Sequence, residues 1–118
     1  MLREMCKSKI HGATVTDKKL HYGGSVEIDA AVLEEADIYP YEKVQVVNLS
    51  NGSRIDTYAV AGRRNSGVFR LLGPAARTAE VGDKVHVLCY ALADEGDVLD
   101  WECCAVVLDD KNRVTKRK

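Results

Sequence analysis

Short runs of alternating or β-branched hydrophobic residues, separated by turn residues, dominate this chain. Such runs predict β-strands, because successive side chains of a strand point to opposite faces of a sheet. Residues 44–49 and 54–60 are the clearest pair. Asn51-Gly52 between them is typical of a hairpin turn, since both residues accept a positive φ. We expect further strands at residues 9–15, 25–28, 68–72, 84–92 and 101–108.

Two short helices should interrupt the strands. Asp29 is a suitable N-cap for residues 30–36, which are rich in Ala, Leu and Glu. Gly73-Pro74 should open a second helix through residue 79, with proline in its favoured first position. About six to eight short strands with two short helices indicate a mainly β fold, in the form of a small barrel.

The length and composition indicate one domain spanning residues 1–118. The chain has 118 residues, of which 46% are hydrophobic, enough for one packed core. One core of this size buries only about two-thirds of the surface that the unfolded chain exposes. Association of subunits would therefore add stability, and a pocket shared between subunits would be unsurprising.

The charge pattern argues against nucleic acid and membrane as partners. The 17 basic and 18 acidic residues give a net charge of −1, which offers no electrostatic basis for binding a polyanion. The cluster Lys116-Arg117-Lys118 is most simply a solvated terminus. No segment has the apolar length of a membrane span. The first five residues include charges and lack the core of a signal peptide, so we expect a cytosolic protein.

The cysteines and histidines predict no metal site. They are Cys6, Cys89, Cys103, Cys104, His11, His21 and His86. They contain no C-x-x-C pair and no spacing typical of metal ligands. Cys103 and Cys104 are adjacent, so in a strand they would point to opposite faces. We expect reduced thiols in the core. The glycine-rich nucleotide-binding motifs and the G-x-S-x-G motif are also absent, and the sequence indicates no hydrolase triad.

Gly24-Ser25 is the most unusual point of the sequence. Glycine and serine are ordinary turn residues, so a flexible turn is the simplest interpretation. A reaction of the backbone is also possible there. Gly24 can adopt a strained conformation, and a strained turn would bring the Ser25 hydroxyl toward the Gly24 carbonyl.

Attack by that hydroxyl would convert the Gly24-Ser25 amide to an ester. β-Elimination of the ester cuts the chain and leaves dehydroalanine at residue 25. Hydrolysis then gives a pyruvoyl group. This ketone forms a Schiff base with an amino acid and accepts electrons as CO2 leaves, which is the role of pyridoxal phosphate in other enzymes.

Four short motifs follow one another along this chain. They are Lys9-Ile10-His11, Tyr22-Gly23-Gly24-Ser25 with Ile28-Asp29, Asn51-Gly52-Ser53-Arg54 with Thr57-Tyr58, and Gly73-Pro74-Ala75-Ala76. In these motifs the chain resembles the pyruvoyl-dependent aspartate 1-decarboxylases, from residue 1 to about residue 114. Four ordered motifs are much more specific than Gly-Ser alone.

The resemblance implies a double-psi β-barrel that assembles as a homotetramer with active sites between subunits. It implies conversion of L-aspartate to β-alanine and CO2, which feeds pantothenate biosynthesis. Self-cleavage would give fragments 1–24 and 25–118, and the cofactor would be a covalent pyruvoyl group derived from Ser25. A maturation factor is a possible additional partner.

The resemblance also implies roles for individual residues. Ser25 would be the pyruvoyl precursor, Gly24 the new C-terminus, and Thr57 an aid to processing. Tyr58 would return a proton to the substrate as a general acid. Substrate binding would fall to Lys9, His11, Tyr22, Arg54, Gly73, Ala75 and Ala76. Taken singly, each of these residues also fits an ordinary structural place, such as a strand position or a solvated charge.

Leu72 departs from the family pattern, which usually has Asn before the glycine of the Gly-x-Ala-Ala turn. Pro74 also removes a backbone donor from this turn. Two alternatives therefore stay open. One is a pyruvoyl decarboxylase for a related acidic amino acid. The other is an unprocessed barrel that serves as a binding or assembly module.

Overall fold

The computed structural model describes residues 1–117 and consists mainly of β-strands. The strands are β1 (Leu2–Thr14), β2 (Asp17–Lys19), β3 (Ser25–Asp29), β4 (Lys43–Asn48), β5 (Arg54–Gly62), β6 (Phe69–Leu72), β7 (Lys84–Asp94), β8 (Cys104–Leu108) and β9 (Val114–Arg117). The helical segments are α1 (Ala30–Glu35) and a 3₁₀ helix, Gly73–Thr78, with a further single 3₁₀ turn at Glu95–Asp97. The predicted mainly β fold with two short helices is confirmed.

The local signals act as the sequence predicts. Asp29 caps α1, because its side chain accepts a hydrogen bond of 2.9 Å from the backbone N–H of Ala31. The β4–β5 hairpin turns at Gly52, which has a φ of 75° and donates its N–H to the Asn48 carbonyl. Pro74 lies at the start of the first 3₁₀ helix.

The nine strands form one sheet in the order β2-β6-β3-β5-β4-β7-β1-β8-β9. Strand β3 pairs antiparallel with β6 and parallel with β5, while β1 pairs antiparallel with β7 and parallel with β8. Apolar side chains of most strands and of α1 meet in one core. Its largest fully buried members include Phe69, Ile10, Ile28, Leu33 and Leu71. This arrangement is consistent with a small β-barrel.

Several predicted boundaries were wrong. Strand β1 begins at Leu2, seven residues before the predicted start at Lys9, because its first half pairs with the end of β7, where Leu2 lies opposite Asp94. The last predicted strand begins at Cys104 instead of Trp101, whose indole N–H donates instead to the Cys6 carbonyl at 2.7 Å.

Two short polar strands, β2 and β9, were not predicted. Lys116 and Arg117, predicted to be a solvated end, are exposed but belong to β9, and Lys118 lies outside the described residues. The helices of the described chain are too short to cross a membrane.

Candidate functional site

Gly24 and Ser25 lie where the chain enters β3, directly beside the start of the 3₁₀ helix. Ser25 pairs with Leu72 of β6 and is 4% exposed. The following residue, Gly73, has a φ of 73°. A Cβ at Gly73 would come within 2.8 Å of the Gly24 Cα and 2.9 Å of the Tyr22 carbonyl oxygen. Only glycine at position 73 therefore allows the two segments to approach this closely.

The unusual backbone conformation at this site belongs to Gly73. The sequence interpretation had placed the strain in Gly24, but Gly24 is not among the glycines of the described chain that have a positive φ. A Cβ at Gly24 would meet its nearest neighbour, the Pro74 Cδ, at an ordinary 3.8 Å. The conformational requirement for glycine thus lies at the first residue of the 3₁₀ helix, beside the Gly24-Ser25 bond.

A first cleft of about 430 Å³ lies on one side of Gly24, and we call it the Gly24 cleft. Its lining residues are Gly24, Ile55, Asp56, Thr57, Tyr58, Pro74 and Ala75. The middle of β5 and the start of the 3₁₀ helix form its walls. The cleft therefore brings together four residues that the sequence singled out: Gly24, Thr57, Tyr58 and Ala75.

A second cleft of about 310 Å³ contains Ser25, and we call it the Ser25 cleft. Its lining residues are Tyr22, Gly23, Ser25, Glu27, Tyr58, Val60, Arg70 and Leu72. Tyr58 is common to both clefts and is 41% exposed. Leu72 contributes an apolar side chain directly opposite Ser25.

Glu27 and Arg70 form an ion pair in the Ser25 cleft that sequence reasoning missed. The Arg70 Nε and Nη2 both donate to the Glu27 Oε1, at 2.8 and 2.5 Å. The hydrogen bonds that Arg70 donates to Glu27 raise the pKa of Arg70, which keeps the guanidinium charged. Alternation along β3 could have predicted that Glu27 lies on the same face as Ser25. It could not predict Arg70, because β6 is remote from β3 in the sequence.

Lys9, His11 and Arg54 lie away from Ser25 in the fold. Lys9 and His11 are on β1, which three strands, β5, β4 and β7, separate from β3 in the sheet. Arg54 lies opposite Val47 at the hairpin end of β5 and donates a long hydrogen bond of 3.4 Å to Gln45. None of these three side chains lines the Gly24 cleft or the Ser25 cleft.

These three residues instead group around His86, another residue that the sequence did not single out. Val47 lies opposite both Arg54 and His86, so the two share a face of the sheet. The His86 ring stacks on His11 with centroids 4.1 Å apart. We call Lys9, His11, Arg54 and His86 the basic face.

His86 is held in a neutral form. The backbone N–H of Gly12 donates to its Nδ1 at 3.1 Å, so this nitrogen is an acceptor without a proton. Burial lowers the pKa of His86, and the charges of His11 and Lys9 lower it further. His86 therefore adds little charge to the basic face, which also contains Lys9 and Arg54.

Ala76 and the cysteines lie elsewhere. Ala76 lines a separate cleft with Lys18 and Arg77, although its neighbour Ala75 lines the Gly24 cleft. The Cys6 and Cys103 sulfur atoms are 3.6 Å apart, and burial together with this contact raises the pKa of Cys103 to about 11. Residues 1–117 contain no cluster of three His, Cys, Asp or Glu side chains placed to hold a metal ion.

Comparison with known proteins identifies the family. The sequence model of the family "Aspartate decarboxylase" matches residues 1–115. A protein of Carboxydothermus hydrogenoformans named aspartate 1-decarboxylase is 46% identical over 118 residues, which cover 100% of this chain and 93% of that protein. Proteins of the same name from Syntrophobacter fumaroxidans and Listeria monocytogenes are 49% and 47% identical, over 96% and 97% of this chain and 91% and 90% of theirs. The chain belongs to the aspartate decarboxylase family.

Proposed function

We propose that this protein is an aspartate 1-decarboxylase that converts L-aspartate to β-alanine and CO2 with a pyruvoyl group made from its own Ser25. Family membership supports the activity. The main structural support is the contact of Gly73 with Gly24 beside a cleft that Ser25 and Tyr58 share. The proposal includes a cytosolic location, a double-psi arrangement of the barrel and a contribution to pantothenate synthesis.

Self-cleavage at Gly24-Ser25 would produce fragments 1–24 and 25–118. Gly73 has no side chain, so the segment that ends at Gly24 can pack directly against the backbone of residue 73. Thr57 lines the Gly24 cleft and would hydrogen-bond the carbonyl oxygen of Gly24 as its charge develops. The burial of Ser25 would exclude water from the acyl shift and so limit simple hydrolysis.

The pyruvoyl group would supply a ketone that condenses with the substrate amine and takes up the electrons released with CO2. The chain itself would bind the substrate and move a proton. The Tyr58 hydroxyl, which lines the cleft with residue 25, would donate a proton to the carbon that has lost CO2. Tyr22 lines the same cleft and would limit the access of water.

The division of candidate residues supports a site built between two subunits. Ser25, Thr57 and Tyr58 line clefts on one part of the protomer, whereas Lys9, His11 and Arg54 gather on the basic face. A neighbouring copy that presents its basic face to the clefts would supply the cations that a dianionic substrate requires. A homotetramer with inter-subunit active sites would meet this requirement.

Leu72 lies opposite Ser25, where an amide side chain would offer hydrogen bonds that leucine cannot. This position supports two alternative forms of the proposal. In the first, cleavage would be slow or would need a maturation factor. In the second, the Ser25 cleft would favour a related acidic amino acid. If cleavage never occurs, the protein would be a non-catalytic barrel.

Denaturing intact-mass spectrometry of the purified protein tests the proposal, with the Ser25→Ala variant as an uncleavable control. Two fragments that meet after Gly24, the larger with a pyruvoyl terminus, are expected. β-Alanine formation from L-aspartate is then measured beside a panel of acidic amino acids. A single chain that persists after prolonged incubation, with no CO2 release, would contradict the proposal. Partial cleavage that Leu72→Asn accelerates would identify position 72 as the cause.

A further inference from the structure

Arg70 is the only cation among the described residues that line the Ser25 cleft. Its position follows from the pairing of β3 with β6, in which Ser25 lies opposite Leu72 and Glu27 opposite Arg70. Residues two apart on a strand share a face and lie about 7 Å apart. The Glu27–Arg70 pair therefore lies on the wall of the cleft, two residues along the strands from Ser25 and Leu72.

The Arg70 guanidinium faces two carboxylates, but only one of its edges is hydrogen-bonded to them. Its Nε and Nη2 atoms donate to a single oxygen of Glu27, which uses two of the five N–H groups. The Nη1 atom lies 3.7 Å from the Asp17 Oδ2, which is beyond hydrogen-bond distance. The end-on edge, formed by Nη1 and the second Nη2 hydrogen, therefore has only a loose ion pair with the exposed Asp17 side chain. A substrate carboxylate that displaces Asp17 would bind this edge in the bidentate manner that suits arginine.

Stability alone is a poor explanation for this pair. The Arg70 and Glu27 side chains are 36% and 19% exposed, so both have lost part of their hydration, and ion pairs of this kind usually contribute little to folding. Glu27 without a partner would repel an acidic substrate from Ser25. Arg70 removes that repulsion and adds donors in the same cleft.

We propose that Arg70, oriented by Glu27, is a further substrate-binding residue that holds the side-chain carboxylate of the acidic substrate. The proposal rests on the function proposed above and concerns the same site. The α-carboxylate is excluded as its ligand, because that group must leave as uncharged CO2 and a tight ion pair with arginine would stabilise the ground state. Arg70 thereby selects amino acids that carry a second carboxylate.

Steady-state kinetics of Arg70→Leu, Arg70→Gln and Arg70→Lys with L-aspartate test this role. Rates are divided by the fraction of pyruvoyl-bearing chain from intact-mass spectrometry, so that a processing defect does not count as a binding defect. Arg70→Leu and Arg70→Gln should raise KM by about 10- to 100-fold, the range for a lost charge-assisted hydrogen bond, with kcat within about threefold of wild type. Arg70→Lys keeps the positive charge but cannot form the two parallel hydrogen bonds of a guanidinium, so it should recover part of the affinity for L-aspartate.

Arg64→Leu is the matched control. Arg64 also forms a two-point ion pair, with Glu34 of α1, but it lines neither of the two clefts. Its loss should leave KM for L-aspartate unchanged. An equal rise in KM for Arg64→Leu and Arg70→Leu would assign the effect to general charge and would overturn the proposal.

Binding of succinate, measured by calorimetry, separates this proposal from the proposed function. Succinate has two carboxylates but no amine, so its binding does not require a pyruvoyl group. Succinate affinity that Arg70→Leu weakens about tenfold or more would support the carboxylate site even in a protein without activity. Normal L-aspartate turnover with an unchanged KM in all three Arg70 variants would overturn the role of Arg70 and leave the proposed function intact. A wild-type protein with neither turnover nor succinate binding would overturn both.

Discussion

Replacement of Gly73 by alanine should damage both the stability of the fold and the proposed cleavage at Gly24-Ser25. The new Cβ would lie 2.8 Å from the Gly24 Cα and 3.0 Å from the Gly24 nitrogen. These are backbone atoms, so no side-chain rotation relieves the contact. Gly73 also has a φ of 73°, which alanine adopts only with strain.

The expected cost is the sum of two effects. A left-handed conformation costs a residue with a Cβ about 1–2 kcal/mol. Overpacking against atoms that must shift typically costs a further ~1–3 kcal/mol. Gly73→Ala should therefore lower the free energy of unfolding by about 2–5 kcal/mol. Because the shifting atoms belong to Gly24, the geometry for attack by Ser25 should be lost as well.

Alanine substitutions at two other glycines distinguish the conformational cost from the cost of the close contact. Gly52 has a φ of 75° with open space around its added Cβ, so Gly52→Ala should show only the conformational cost, about 1–2 kcal/mol. Gly23 has neither a positive φ nor a neighbour within 4 Å, so Gly23→Ala should change the free energy of unfolding by no more than about 0.5 kcal/mol. Urea unfolding of each variant in a Ser25→Ala background, at equal protein concentration, keeps cleavage and association from confusing the comparison.

Cleavage is then followed by intact-mass spectrometry in chains that retain Ser25. Gly52→Ala should be cleaved as fast as the unaltered chain, and Gly73→Ala at least tenfold more slowly. If Gly73→Ala lost no more stability than Gly52→Ala, the close contact between residues 73 and 24 would be unimportant. Rapid cleavage of Gly73→Ala would refute the argument that this contact positions the reacting bond.

Three further predictions concern a proton donor, a buried carboxylate and a buried thiol. Tyr58→Phe should be cleaved normally but lower kcat for L-aspartate by about 100-fold or more, as the loss of a general acid does; kcat within twofold of wild type would rule out this role. Burial would raise the pKa of Asp29, but hydrogen bonds from three backbone N–H groups and the charge of Arg113 outweigh it and hold the pKa below its usual value. A lowered pKa stabilises the fold above the ordinary value near 3.8 and loses that contribution as pH falls through the folded value. Urea midpoints between pH 2.5 and 6 should therefore fall in acid, less steeply for Asp29→Asn than for the unaltered chain; equal slopes would contradict the assignment. Burial raises the pKa of Cys89 to about 11, so iodoacetamide at pH 8 should leave it unmodified in the native protein and label it after unfolding, as read by peptide mass mapping.

Local sequence signals predicted the parts of the fold that local physics determines. Asn51-Gly52 defines its hairpin because a turn with positive φ needs no remote partner. Asp29 caps α1 through a hydrogen bond to a residue two positions away. Such features are encoded within a few residues, so one sequence is enough to find them.

The missed strands depend on remote partners. Strand β2, Asp17–Lys19, has three charged residues and no β-branched one, yet it pairs in parallel with β6 some fifty residues later. Strand β9, Val114–Arg117, ends in two basic residues and pairs with β8. In both, the neighbouring strand supplies the backbone partners, and for β2 these outweigh a weak intrinsic preference. Conversely, residues 101–103 look like a strand but bond elsewhere, through the indole of Trp101.

The same limit explains which parts of the site the sequence could predict. The motif order placed Gly24, Ser25, Thr57 and Tyr58 in one group, and the two clefts bring them together. It could not show that Arg54, only four residues before Tyr58, lies outside both clefts and shares a face of the sheet with His86 of β7.

Arg70 shows the reverse case, a residue that belongs to no motif and yet lines the Ser25 cleft. Its place depends on the register between β3 and β6, two strands about forty residues apart in the chain, and a shift of that register by one residue would turn its side chain to the other face. The register itself is held by apolar residues, since Val26 and Leu71 lie opposite each other and are both fully buried. The charge beside Ser25 is therefore positioned by the core, and substitutions in that core, such as Leu71→Ala, should disturb substrate affinity as well as stability.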